Sequence, residues 1–160
     1  MRTLVLGLGN EILGDDSIGL RIAREVARRL PRLSDVRVAQ EERGGLALIE
    51  QMAGFDRVLL VDAIQTGRPP GTLHHLGVQS VPTQRTAMAH GINLRMALEL
   101  GRRSGIALPD EQAIAILGIE AADVVTFREL LTPEVEQAIP RAVEAVEAWI
   151  ERQGKEGSIP

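Results

Sequence analysis

The sequence predicts an α/β fold with a mostly parallel central sheet and helices on both of its faces, and three observations predict it. Short apolar runs of strand length recur along the chain, segments with apolar residues at helical spacing separate most of them, and Gly- or Pro-containing turns punctuate the joins. The 160 residues are 44% hydrophobic, which is enough for one compact domain with a substantial core. That domain is expected over residues 1–152, with a disordered polar tail over 153–160.

The first run, Thr3 to Leu8, reads as a buried parallel strand ended by Gly7 and Gly9. From Ser17, the residues Ile18, Ile22, Val26 and Leu30 recur every fourth position beside Ala23 and Ala27, so a helix with one buried face is expected to stop before Pro31. Asp15, Asp16 and Ser17 stand where its cap belongs. A second strand over 35–40, the Gly44-Gly45 turn, a short amphipathic helix over 46–52 and a third strand over 57–61 ending at Asp62 complete a β-α-β-α-β series.

Beyond it, 68–71 is a Pro/Gly turn and 72–76 an edge strand, expected to run antiparallel to the rest. Residues 91–103 form a helix and 113–117 another buried strand. The last helix begins with Thr132 as cap and Pro133 at the first helical position. Its apolar stripe runs from Val135 to Ile150, and Pro140 is expected to kink or split it.

Composition narrows the function. A net charge of -4 with 2% aromatic residues offers neither a basic field for phosphates nor stacking platforms for bases, so nucleic acid is not an expected partner. Without cysteine there is no disulfide, thiolate metal site or cysteine nucleophile. No apolar run reaches the roughly 20 residues that span a bilayer. The start of the chain lacks the charged-then-apolar layout of a secretory signal, and a cytoplasmic protein is expected.

In an open parallel sheet, ligands bind beyond the carboxyl ends of the strands, where Asp16 and Asp62 fall. Gly7-Leu8-Gly9-Asn10 resembles a dinucleotide loop only in part, since Ile12 replaces the third glycine and Asp15-Asp16 would repel a phosphate. No nucleotide cofactor is expected. Each candidate also has a plainer reading: helix capping for Asp15 and Asp16, a strand-end turn for Asp62, a surface or capping residue for His90. Two carboxylates and an imidazole together would suit nickel, zinc or another borderline cation while leaving coordination positions open. His74 and His75, adjacent on a strand, should point to opposite faces.

The segments Leu6-Gly7-Leu8-Gly9-Asn10, Asp15-Asp16 and Ile18-Gly19 resemble the N-terminal signature of the nickel-iron hydrogenase maturation proteases. The resemblance continues through Val61-Asp62-Ala63, His90 before a Leu-rich helix, Gly118-Ile119-Glu120, and Leu131-Thr132-Pro133-Glu134. It implies a three-layer α/β/α sandwich and an endopeptidase of aspartyl type. Asp16, Asp62 and His90 would be the catalytic and nickel-binding residues. The implied partner is a hydrogenase large-subunit precursor that carries the nickel and loses a C-terminal extension, and the protease is expected to be a monomer. Where that family often has small residues such as Gly-Thr after strand two, this chain has Glu41-Glu42-Arg43, which can be a solvated loop or a docking element.

Three rivals remain at this level. An acid dyad of Asp16 and Asp62 would work without metal, and a triad of Ser17, His90 and Asp62 lacks the usual nucleophile elbow. A non-catalytic nickel carrier that docks on a hydrogenase subunit is the alternative from a different class.

Overall fold

The structure, a computed structural model, describes residues 1–30, 35–81 and 94–156. Five strands form one sheet: β1 (Thr3–Leu8), β2 (Val36–Glu41), β3 (Arg57–Ile64), β4 (Leu73–Gly77) and β5 (Ile114–Glu120), in the order β2-β1-β3-β5-β4. All neighbours are parallel except β4, which pairs antiparallel with β5 at the edge. Four helices complete the fold: α1 (Ile18–Arg29), α2 (Gly45–Met52), α3 (Leu94–Arg103) and α4 (Pro133–Glu156). Among the described residues no helix is long and apolar enough to cross a membrane.

Strand alternation divides the core in two. Val5, Leu59, Val61, Leu117 and Ile119 face α1 and α4, whereas Leu4, Leu6, Leu8, Val58, Leu60 and Ile116 face α2 and α3. The sheet is thus the middle layer of three. From β1 the chain turns to β2 on one side and then crosses back to β3 on the other. The strand order therefore reverses between β1 and β3, and a crevice is expected outside their carboxyl ends.

Gly7 lies inside β1 rather than ending it. It allows a close approach: a Cβ on Gly7 would come within 2.7 Å of the Ala23 Cβ, and one on Gly19 would overlap the carbonyl oxygens of Leu8 and Val61. The first turn of α1 is thereby seated directly over the β1/β3 junction.

Three further expectations need correction. β3 does not stop before Asp62 but continues to Ile64, because β5 is longer than its apolar run suggests and pairs Gly118, Ile119 and Glu120 with Asp62, Ala63 and Ile64. Pro140 does not split the last helix, and α4 is continuous. Pro140 and Glu136, whose carbonyl loses its N–H partner, are both exposed, so water can replace the missing bond. Meanwhile Val135, Ala138, Ala142, Val143, Val146 and Ile150 hold both halves of the helix on the core. Finally, α4 runs through Glu156, past the expected tail boundary at 153, and residues 157–160 lie outside the described residues.

Candidate active site

The loop after β1 closes in a 3-10 turn, Gly14–Ser17, that leads into α1 and touches β3. Gly9, at φ +152°, fits beneath it only because it has no side chain; a Cβ would collide with the Asp16 carbonyl oxygen, which accepts the Asn10 N–H at 3.2 Å. Asp16 is 6% exposed and lines a cleft of about 110 Å³ with Leu8, Gly9, Asn10, Leu13 and the 41–45 loop. Asp62 lies on the next strand at the same end of the sheet and is 1% exposed. By alternation it points to the α2/α3 face, as do Val58 and Leu60, and Leu8 of the cleft belongs to that same face. Asp16 and Asp62 are thus both buried beside the point where the strand order reverses. His90, the third expected member, lies outside the described residues, as do 91–93 of the expected third helix. Among the described residues no group of three His, Cys, Asp or Glu side chains is gathered for a metal ion.

The two acids of the Asp15-Asp16 pair have different surroundings. Asp15 does not cap α1, whose N-cap Ser17 makes no side-chain capping bond. Its carboxylate, 1% exposed, instead accepts the N–H groups of Ala122 (2.9 Å), Asp123 (3.1 Å) and Thr132 (2.8 Å) and the Thr132 hydroxyl. Thr132 directly precedes α4, so this negative charge sits at the positive end of a helix 117 positions away in sequence. No local sequence signal points to that partnership.

The charged loop after β2 is not simply solvated. Glu41 is buried, and it accepts the Arg43 N–H (2.9 Å), the Arg43 guanidinium (3.0 Å) and the Gln51 amide (3.3 Å). Glu42 reaches over to accept the Glu11 N–H at 3.2 Å, tying the two loops that border the cleft. Burial works to raise the Glu41 pKa, but the bonds from Arg43 and Gln51 outweigh it and hold it below the ordinary 4.5. A depressed carboxylate contributes stability that is present above its unfolded value and lost as pH falls through the folded one. Melting temperatures of wild type and Glu41→Gln should therefore differ at neutral pH and converge as pH drops below about 4.5. The difference should stay below about 1 kcal/mol, since Arg43 is largely open to solvent.

His74 and His75 do face opposite sides. Asp62, Gly118 and His74 are register partners across three strands, so the row shares one face. His74 Nε2 lies 3.2 Å from Glu120 Oε1, while His75 lines a cavity of about 270 Å³ with Leu59, Trp149 and Arg152 beside α4. Glu120, 1% exposed, also accepts the N–H (2.8 Å) and hydroxyl of Thr66 and so fixes the loop that follows β3.

A family model described as HycI, hydrogenase maturation protease, matches residues 20–149. Hydrogenase 2 maturation protease of Escherichia coli K12 is 32% identical over 163 residues that span 100% of this chain and 96% of that protein. This chain belongs to the hydrogenase maturation protease family. The solved structure of the hydrogenase maturating endopeptidase HybD from E. coli superposes with a TM-score of 0.79 at 29% identity, covering 96% of this chain and 94% of that one. The [NiFe] hydrogenase maturation protease HybD from Thermococcus kodakarensis gives 0.68 at 27%, covering 93% and 99%.

As a hydrogenase maturation protease the protein is a hydrolase, a peptidase, and the non-catalytic carrier is set aside. The serine triad fares no better. Ser17 is fully buried, its hydroxyl donating to the Gly14 carbonyl at 2.8 Å and accepting from Arg21 Nε at 3.0 Å. It is engaged in shaping the turn and is closed off from any peptide.

Proposed function

We propose that this protease removes the C-terminal extension of a nickel-iron hydrogenase large-subunit precursor after nickel has been inserted, with Asp16, Asp62 and His90 recognising the nickel that the substrate carries. One observation carries the reading. Two carboxylates from segments distant in sequence are both buried at the carboxyl ends of adjacent strands, where the sheet order reverses. Buried acids gathered at a strand-end crevice are candidates for binding a cation or moving a proton. A substrate-borne nickel is such a cation, and an oxygen and nitrogen donor set suits it. His90 precedes α3 by four positions, and α3 packs on the face to which Asp62 points, which favours its joining the pair. The metal is then part of the substrate, and its presence acts as the check that the precursor is ready.

Cleavage is a hydrolysis. Water adds its oxygen to the scissile carbonyl carbon, the C–N bond breaks, and the departing amine takes a proton. Asp16 or Asp62 in its ionised form can accept the water's proton and hand it to the amine, and fixing the peptide beside them supplies several kcal/mol of barrier reduction. In this reading the protease acts as a monomer in the cytoplasm.

The test follows the intact mass of the large subunit after incubation with the protease, using precursor with and without nickel. The tail should be lost only from nickel-loaded precursor, and Asp16→Ala or His90→Ala should slow the loss by about 100-fold or more. Equal cleavage of nickel-free precursor would favour the metal-independent acid dyad instead.

A further inference from the structure

One rim of the crevice carries apolar side chains that the fold does not use. Val125 and Phe127 are each 78% exposed, Leu130 71% and Ile12 51%. The chain has only two phenylalanines, and this one points to solvent. The segment that bears three of these residues, 121–132, is held firmly. Ala121, Val124 and Leu131 anchor it in the α1/α4 core, and Asp15 accepts N–H bonds from both of its ends. Asp123 Oδ1 accepts the Val125 and Thr126 N–H groups at 3.0 Å, which shapes the turn between the anchors. Leu13 and Arg128 form a parallel bridge in which Arg128 N–H donates to the Ile12 carbonyl at 3.0 Å and Gly14 N–H to the Arg128 carbonyl at 2.9 Å. Ile12 is thereby joined to the same rim, four residues from Asp16.

We propose that Ile12, Val125, Phe127 and Leu130 form the docking surface for the hydrogenase precursor, gripping an apolar face of its folded body next to the tail to be cut. The inference rests on the function proposed above. Exposed apolar groups on a floppy loop would lose affinity to ordering on binding; these are already ordered, so little is lost. Side chains this exposed present on the order of 400 Å² of apolar surface, the size at which a patch on a monomer is often functional. A stable interface buries roughly 800 Å² on each partner, a little over half of it apolar. The patch supplies about the apolar share of one such face, and the bridge between Leu13 and Arg128 places it beside the loop of Asp16, where the body of the substrate rests while its tail is cut. Asp123, held below the usual carboxylate range chiefly by the Thr126 hydroxyl, then by the Val125 and Thr126 N–H groups, marks the polar edge of the patch.

The test measures binding of the intact, nickel-loaded large-subunit precursor to wild type, Phe127→Asp, Val125→Asp and Phe127→Leu, together with KM and kcat for tail removal. The Asp variants should raise Kd and KM by about tenfold while kcat stays within about twofold, and Phe127→Leu should bind nearly as wild type. Unchanged Kd in the Asp variants, or no binding by wild type, would overturn the docking surface. So would a wild-type dimer in sedimentation that Phe127→Asp dissolves, since the patch would then be a self-interface. Wild type that binds without cutting, with the Asp variants weakened, would keep the surface and sink the proposed reaction alone.

Discussion

Asp62→Asn is expected to lower tail removal by about 1,000-fold while the melting temperature moves by no more than a few degrees. The two parts of that result belong together. Asn has nearly the shape of Asp, so packing against the strand's neighbours is preserved and only the charge is lost. Val58 and Leu60, the residues before Asp62 on its face of β3, are apolar and fully buried, and its register partner across β5 is Gly118. If the acid serves the substrate's nickel or moves a proton, removing its charge removes function and costs the fold little. A variant that both melts much earlier and fails to cut would make Asp62 a structural residue and leave Asp16 without its partner. Circular-dichroism melts beside the intact-mass assay separate the cases.

Much of the fold is legible in the sequence because local periodicity encodes it. Buried strands such as β1 and the α1 face of Ile18, Ile22 and Val26 read directly from apolar spacing, and the edge placement and antiparallel direction of β4 follow from its short run after a Pro/Gly turn. What escapes is non-local. The extension of β3 to Ile64 depends on what β5 offers opposite it, and Gly118 and Glu120 interrupt the apolar run that would announce the longer strand. The continuity of α4 depends on Pro140 lying on the exposed side, which is set by packing of the whole stripe rather than by Pro140 itself.

The site shows the same division. Asp16 and Asp62 are singled out by topology, since both fall at the ends of strands in an open sheet where ligands bind, and both are buried there. Gly7 and Gly19 are visible as glycines, but their use, seating α1 on the β1/β3 junction, needs the third dimension. Glu41-Glu42-Arg43 looks like an exposed charge run, yet Glu41 is buried because Arg43 and Gln51 fold over it.

Asp15 carries the largest expected effect on stability. Asp15→Ala leaves the N–H groups of Ala122, Asp123 and Thr132 without their acceptor in a buried setting, a loss of about 3 to 5 kcal/mol. For a chain of this length that corresponds to a fall in melting temperature of about 10 °C. Asp15→Asn should be nearly as damaging, which is the discriminating point. Oδ1 accepts Thr132 N–H and Oδ2 accepts Ala122 and Asp123 N–H, so either orientation of an amide points its NH2 at a donor. Thr132→Val, which removes one hydroxyl and keeps every backbone bond, should cost only about 1 kcal/mol. Because these bonds hold the segment bearing Val125, Phe127 and Leu130 against the loop of Asp16, a surviving Asp15→Asn protein should also bind precursor more weakly. An Asp15→Asn protein that melts within about two degrees of wild type would mean that the two loops are held by their apolar anchors, Ala121, Val124 and Leu131, and not by the carboxylate.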